Sequence, residues 1–382
     1  MMFTKRTIYN NEHEMFRESF RKFLHKEVLP YQEEWEAAGI IPREVYAKCG
    51  EQGFLVPQAP EEYGGLGIHD FRYEAIMLEE LAYYNEFGLM LGLHNTICAP
   101  YILTYGNEEQ KRRLVPKIVS GEGILAVAMT EPGAGSDLAG MKTTAEDRGD
   151  HWVLNGQKTF ISNGINSDII LVAAKTVPGN PHAMGIFIVE RGDLGLERGT
   201  PLKKIGLLSQ DTAELYFENV KVKKTNVLGD PTKGFKYLMA QLATERLSLA
   251  VGAVANCRSA IETTIKYVKE RNVFGKPVSS FQNTQFKLAE LATETDIAQV
   301  YVDRLIEEQN NGTVSPEQAC GAKYWTTDLA CKVMDECLQL HGGYGYMKEY
   351  TISRMWLNAR IGRIYAGANE IMKTVIARQM QL

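Results

Sequence analysis

At 382 residues the chain exceeds the size at which one hydrophobic core keeps growing, so two or three substructures around an interior large enough to bury a cofactor are expected. Its 45% hydrophobic and 23% charged residues, with no long low-complexity tract and no obvious repeat, exclude a disordered or fibrous chain. A formal net charge of −5 argues against a nucleic-acid binder, and the basic runs at 111–113 and 221–224 read as solvated surface.

In chain order, residues from Asn11 to about Lys117 carry a helical pattern, with Phe16, Phe20, Phe23 and Leu24 near one face and further apolar periodicity from Tyr73 to Leu91. Asn107 followed by Gln110 marks a helix start, and Gly121 to Gly123 a break. From about Ile124 to Gly229 the pattern changes to short β-rich runs at 125–129, 152–154, 169–173, 186–189 and 215–222, separated by Gly, Asn, Asp and Pro turns. A small sheet or barrel is expected there. Long helices return from Gly234, over 235–271 and 285–309, and then from a Ser315-Pro316 start to His341-Gly342-Gly343. The boundaries predicted are a helical domain at 1–122, a β domain at 123–231 and a helical bundle at 232–382.

No stretch reaches the roughly 18 apolar residues of a membrane span, and helical patterning begins almost at Met1, so neither a span nor a leader peptide is expected. The six cysteines form no C-x-x-C pair, which fits a reduced, cytoplasmic setting. None of the seven histidines lies in a zinc-type spacing, and no metal is expected.

Two segments carry most of the chemistry. Met129-Thr130-Glu131-Pro132-Gly133-Ala134-Gly135-Ser136-Asp137 leaves an apolar strand for a turn rich in hydroxyls and in backbone N–H groups between glycines, suited to a polar ring edge or a phosphate. Gly156-Gln157-Lys158-Thr159-Phe160-Ile161-Ser162-Asn163-Gly164 continues a strand that an Asn155-Gly156 hairpin turn would fold back, placing Phe160 and Ser162 on one face. An aromatic ring and a hydroxyl so placed suit a flat heteroaromatic cofactor.

Together these segments resemble the flavin-binding middle domain of the acyl-CoA dehydrogenases, and the resemblance runs over essentially the whole chain. It implies an α+β protein with an N-terminal all-helical domain, a middle β domain and a C-terminal antiparallel four-helix bundle that assembles a homotetramer, a dimer of dimers. It also implies FAD as cofactor, an acyl-CoA thioester as substrate and an electron-transferring flavoprotein as acceptor. The family's reaction needs a carboxylate to take the α-proton while hydride leaves the β-carbon for the flavin. Many members carry that glutamate in a segment resembling Ile364-Tyr365-Ala366-Gly367-Ala368-Asn369-Glu370-Ile371, where this chain has Ala366.

In the long-chain and isovaleryl branches the base sits instead on the first long helix of the bundle, in words like Leu242-Ala243-Thr244-Glu245-Arg246-Leu247, which makes Glu245 the candidate base. Helical spacing puts Leu238, Leu242, Glu245 and Leu249 on one face, so one carboxylate interrupts an apolar stripe. Burial there would raise its pKa. Spacing alone equally allows a glutamate at the edge of the stripe, in solvent or an ion pair, and Glu370 is the competing carboxylate.

By the same resemblance Met129, Thr130, Phe160 and Ser162 meet the flavin edge, and Ser136 lies nearer the CoA arm. Arg271, Phe274 and Gln282 reach the cofactor's adenosine and pyrophosphate, commonly from a neighbouring subunit. Gln339, Gly342 and Gly343 approach the pyrophosphate, while Ala368 and Glu370 lie near the cofactor. The backbone of Ala366 and Gly367 would hold the thioester carbonyl, and Arg246 would border the site. Asp211-Thr212-Ala213-Glu214-Leu215 and Asn369-Glu370-Ile371-Met372-Lys373 resemble the long-chain branch, so a medium to long or branched acyl chain is expected. Two other outcomes remain open on this fold: a flavin monooxygenase or nitroalkane-type oxidase, and a catalytically silent acyl-CoA-binding subunit.

Overall fold

Residues 3–382 are described in the computed structural model. The N-terminal part runs through α1 (Asn11–Glu27), α2 (Gln32–Ala38), α3 (Arg43–Glu51), α4 (Phe71–Tyr83), α5 (Ala99–Tyr105) and α6 (Glu108–Ser120). Sequence signals set their ends. The Asn107 side chain accepts from the Gln110 N–H while the Gln110 side chain accepts from the Asn107 N–H, and Gly121 stops α6 in the left-handed region. Phe20, Phe23 and Leu24 of α1 are buried, and Phe54 meets Phe20 edge to face at a centroid distance of 4.9 Å. A single-turn π segment at Leu93–Cys98 leads into α5.

The strands are β1 (Leu125–Ala128), β2 (Thr144–Asp147), β3 (His151–Ser162), β4 (Ile169–Lys175), β5 (Met184–Glu190), β6 (Leu196–Arg198) and β7 (Thr212–Lys223). They form one sheet in the order β1-β4-β2-β3-β7-β6, with β5 on β4. Strand alternation serves two cores: Ile169, Leu171 and Ala173 join the N-terminal helices, while Ile170, Val172 and Ala174 pack with Trp152, Phe187 and Phe217. The sheet is thereby fixed to the helical part rather than appended to it.

The expected Asn155-Gly156 hairpin is absent. β3 runs straight through it, paired with β2 and β7, and a register shift between Leu154 and Gly156 marks a bulge. Gly156 is needed because a Cβ there would lie 2.4 Å from Thr143 Oγ1, and Asn155 Oδ1 accepts from the Asn219 N–H on β7. The turn that does reverse the chain contains Gly149, at φ +89°. A second shift between Lys158 and Ile161 leaves Phe160 at φ +58°. Simple alternation of Phe160 and Ser162 is therefore lost.

The C-terminal part holds α7 (Gly234–Glu270), α8 (Gln282–Asn310), α9 (Pro316–His341), α10 (Thr351–Ala359) and α11 (Asn369–Gln379), with a tight hairpin of β8 (Asn272–Val273) and β9 (Lys276–Pro277) between α7 and α8. α7 packs on α9, α8 and also α4, so the bundle is continuous with the N-terminal helices. Arg6 and Arg17 secure this junction, both pairing with buried Glu79 of α4, and Arg6 also with Asp303 of α8. No helix among the described residues is long and apolar enough to cross a membrane. The basic runs are engaged rather than merely solvated: Lys224 pairs with Asp147 and lies over the Trp152 ring, and Arg113 pairs with Glu190.

Candidate active site

A cavity of about 260 Å³ lies where the three parts of the chain meet. Met129, Thr130, Phe160, Ile161 and Ser162 wall it from the sheet, Leu78, Leu81, Ala82, Glu86 and Leu89 from α4 and the segment after it, and Tyr365 and Ala366 from the loop before α11. α7 contributes Glu245, Ser248, Leu249, Gly252, Ala253 and Asn256. These positions recur at three- and four-residue steps, the stripe of one helix face.

The bulge in β3 shapes the sheet wall. It draws Lys158 fully inside, where Nζ donates to Glu131 Oε1 at 2.8 Å and to the Met129 carbonyl at 3.1 Å, and it turns Phe160 outward, 69% exposed. The Thr159 N–H donates to the Thr130 carbonyl at 2.9 Å, which joins the two sequence segments. Both thus reach one cavity edge, with an aromatic face and two hydroxyls directed to it. Ser136 does not line the cavity; it is exposed on the turn beyond Glu131, near Gly133 and Gly135, at neither of which would a Cβ meet any neighbour. That turn is open for an extended ligand to approach.

Glu245 forms neither an ion pair nor a side-chain hydrogen bond among the described residues. It is half-buried and lines the cavity. Burial pushes its pKa up to about 7, against the opposing pull of Arg246 and Lys323. The salt-bridged glutamate that spacing allowed is therefore absent, and the carboxylate is half-buried in the cavity wall. Tyr365, Tyr101 and Cys98 feel the same carboxylate, and burial together with that charge raises the pKa of each, Tyr365 to about 12. They stay neutral around the carboxylate.

Arg246 does not line the cavity. It is buried behind it, its Nη1 donating to Cys320 Sγ at 3.2 Å and its Nε without a partner. Ala366 and Gly367 both have positive φ, +53° and +88°. Their N–H groups make no backbone hydrogen bond among the described residues, so the Ala366 amide is free beside the cavity. Ala368 caps α11, and Glu370 is exposed in its first turn and outside the cavity wall.

A separate cleft gathers Arg271, Gln339, His341, Gly342, Gly343 and Tyr344, with the Arg271 guanidinium 5.2 Å from the Tyr344 ring centre. A Cβ on Gly342 or Gly343 would touch nothing, which leaves backbone open to a ligand. Phe274, at the tip of the β8–β9 hairpin, and Gln282, at the start of α8, line neither space. Arg271, Phe274 and Gln282 are thus not brought together with Glu245 in one chain.

Sequence reasoning missed Lys323 and Asn369. Lys323 is wholly buried, and its Nζ donates to the Gly367 carbonyl and to Asn369 Oδ1, each at 2.8 Å. Asn369 Nδ2 in turn donates to the Tyr324 carbonyl at 3.1 Å and to Thr327 Oγ1 and Asp328 Oδ1, each at 3.0 Å. A lysine amid Ala319-Cys320-Gly321-Ala322 was the available signal, since lysine is almost never buried without partners.

A cavity with an unpaired carboxylate, a free amide in its wall, and hydroxyls and an aromatic at its edge is suited to removing a proton beside a flat cofactor. The chain belongs to the acyl-CoA dehydrogenase family: models of the family's N-terminal, middle and C-terminal domains match residues 10–122, 126–220 and 232–381. It is an FAD-dependent oxidoreductase that dehydrogenates an acyl-CoA thioester at the α and β carbons. It is 45% identical over 378 residues to the mitochondrial long-chain specific acyl-CoA dehydrogenase of Rattus norvegicus, covering 98% of this chain and 88% of that protein. The Sus scrofa counterpart is 46% identical with the same coverage. The crystal structure of an acyl-CoA dehydrogenase from Geobacillus kaustophilus is similar at a TM-score of 0.96 and 50% identity, covering 99% of this chain and 100% of that one.

Proposed function

We propose that this enzyme oxidises long-chain acyl-CoA esters, with Glu245 taking the α-proton. The observation that carries the chain length is the course of the cavity along α7. At about 1.5 Å per residue, the run from Glu245 to Asn256 covers about 16 Å. An extended chain advances about 1.2 Å per bond, so this length takes about thirteen carbons beyond the α-carbon.

The residues present fit a flavin. Thr130 and Ser162 offer hydroxyls to a polar ring edge, Met129 and Phe160 offer apolar surface to its face, and the open glycine backbone at 342–343 with Gln339 suits a pyrophosphate. When bound, FAD supplies the acceptor for the hydride that leaves the β-carbon. The chain's own work is the rest. The Ala366 N–H donates to the thioester oxygen, which acidifies the α-proton and needs no side chain at that position. Glu245, raised to about 7, is a strong enough base near neutral pH to remove it. Leu78, Leu81, Leu89 and Leu249 hold the acyl chain and exclude water.

Arg271, Phe274 and Gln282, with Gln339, Gly342 and Gly343 sharing the cleft of Arg271, reach the flavin of a neighbour in a homotetramer, a dimer of dimers built on the bundle. Ser136 meets the CoA arm on the open turn, and Ala368 and Glu370 stand near the cofactor. An electron-transferring flavoprotein takes the electrons, the setting is cytoplasmic, and the working parts divide at 1–122, 123–231 and 232–382.

Anaerobic bleaching of the bound flavin's visible band by acyl-CoAs from butyryl and isovaleryl to palmitoyl tests this reading, with Glu245→Gln alongside. Fastest bleaching by the long esters, lost in the variant, is expected. A butyryl or isovaleryl optimum overturns the chain length, and near-normal bleaching by the variant overturns the base.

A further inference from the structure

Lys158 and Glu131 form an ion pair buried behind the sheet wall of the cavity, and neither residue lines it. The two side chains anchor the segment that does. Lys158 Nζ holds the Met129 carbonyl at 3.1 Å and Glu131 Oε1 at 2.8 Å, while the Glu131 carboxylate accepts from the Lys142 N–H at 2.5 Å and from the Thr143 N–H at 3.0 Å. Thr130 lies between these anchors, and its own carbonyl takes the Thr159 N–H. Its N–H has no backbone partner among the described residues. A trans peptide points its carbonyl and its N–H in opposite directions. Because the Met129 carbonyl faces the buried ammonium, the Thr130 N–H of the same peptide points the other way, to the cavity that Met129 and Thr130 both line. Stability alone is a weak reason for such a pair, since desolvation of the two charges offsets much of their attraction. Apolar side chains of the same volume would fill the space, but they would offer the Met129 carbonyl nothing.

We infer that Lys158 is a positioning residue for the flavin: it fixes and polarises the Met129–Thr130 peptide so that the Thr130 N–H favours the reduced ring, with Glu131 as the counter-charge that limits the effect. This rests on the placement of the flavin edge against Thr130 and Ser162 proposed above. An ammonium on a carbonyl draws electron density along the peptide and makes the N–H at its other end a stronger donor. A hydride brings the ring two electrons and one proton, so the ring gains one negative charge. A donor already aimed at that edge stabilises the charge without reorganising. Glu131 acts in the opposite sense, because its carboxylate cancels much of the ammonium's field at the same peptide.

The experiment is the two-electron reduction potential of the bound flavin in the holoenzyme, read by anaerobic equilibration with a reference dye at pH 6, for the wild type, Lys158→Met and Glu131→Gln. Both variants break the same ion pair, so both are expected to melt earlier. Their potentials are expected to separate. Lys158→Met, which removes the cation, should lie lower by at least about 30 mV, and Glu131→Gln, which removes the anion, higher by at least about 30 mV, each a tenfold change in the preference for reduced flavin. A pair with a merely structural role moves neither potential or moves both in one direction, and either result overturns the inference. If Lys158→Met does not retain flavin, Glu131→Gln decides alone, since it keeps the side-chain volume and an acceptor oxygen: a higher potential supports the inference, and an unchanged or lower one overturns it. Thr130→Val and Ser162→Ala are measured alongside. If they shift the visible band or the potential while the ion-pair variants do not, only this inference fails. If none of the four variants changes either reading, the placement of the flavin edge fails with it.

Discussion

Lys323 on α9 holds the carbonyl of Gly367 at 2.8 Å, and through it the loop whose Ala366 amide borders the cavity. The same ammonium reaches Asn369 at 2.8 Å, so one buried cation fixes two points of a loop that contains two consecutive residues at positive φ. A non-glycine residue there costs about 1 kcal/mol and persists only where its surroundings impose it. Replacing Lys323 with Met keeps the stem's volume and removes both hydrogen bonds. The expected result is a loss of about 1–3 kcal/mol from the stranded Gly367 carbonyl, with kcat falling more than KM rises, because the loop that carries the Ala366 amide loses its anchor. Thermal unfolding and steady-state kinetics on the variant check both parts.

As the proposed base, Glu245 should set the acid side of the pH profile. With its pKa at about 7, kcat/KM should rise through about pH 7 and level above it. Glu245→Gln should abolish the limb and lower flavin reduction by about 10²–10⁴-fold. A limb near pH 4.5 instead would place the base in water.

The same shift has a stability consequence. The folded-state pKa lies above the unfolded value, so the folded protein holds a proton that the unfolded chain releases, and this stabilisation is lost as pH rises from about 4.5 through about 7. Glu245→Gln should therefore match the wild type in thermal stability at pH 4.5 and exceed it at pH 8. Equal melting temperatures at pH 8 would contradict the apolar setting of the carboxylate. Catalytic groups commonly carry such a cost.

How far the sequence spoke for itself differs between kinds of feature. Capped helices were plain, because Asn107 with Gln110 and Ser315 with Pro316 and Gln318 satisfy terminal N–H groups from within a few residues. Glu245 entered as the proposed base through the resemblance of 242–247 to the long-chain branch, since spacing alone equally allowed a glutamate at the edge of the stripe. The Asn155-Gly156 turn was misread because a bulge and a hairpin ask for the same glycine, and only pairing across to β2 and β7 decides between them. Lys323 escaped because its partners lie 44 and 46 positions later. Ser136, Arg271 and Phe274 stand apart from the cavity within one chain, and the pattern along a single chain says nothing of a neighbour.

Phe274 provides the test of that neighbour. It is 93% exposed at the tip of a hairpin, with φ +48°, and touches only Phe281 among the aromatic rings described. An aromatic left so bare at a rigid turn marks a contact surface. Phe274→Ala should leave the melting of the isolated fold within about 0.5 kcal/mol yet lower FAD retention and shift the oligomer towards smaller species. Gel filtration and flavin-to-protein absorbance ratios read both, and unchanged values for each would remove Phe274 from the cofactor set.

Chain length can be altered at Gly252, which faces the cavity between Glu245 and Asn256. A Cβ at this position would meet Ala82 Cβ at 3.6 Å, ordinary contact, so alanine should fold normally and narrow the passage only slightly. Leucine at the same point projects across it. Gly252 lies about 10 Å along α7 from the base, which corresponds to about eight carbons of extended chain. Gly252→Leu should therefore lower kcat/KM for palmitoyl-CoA at least about tenfold while octanoyl-CoA is little affected, and the preferred ester should move to about eight carbons. If the variant folds, binds flavin and still prefers palmitoyl-CoA, the acyl chain does not run along α7.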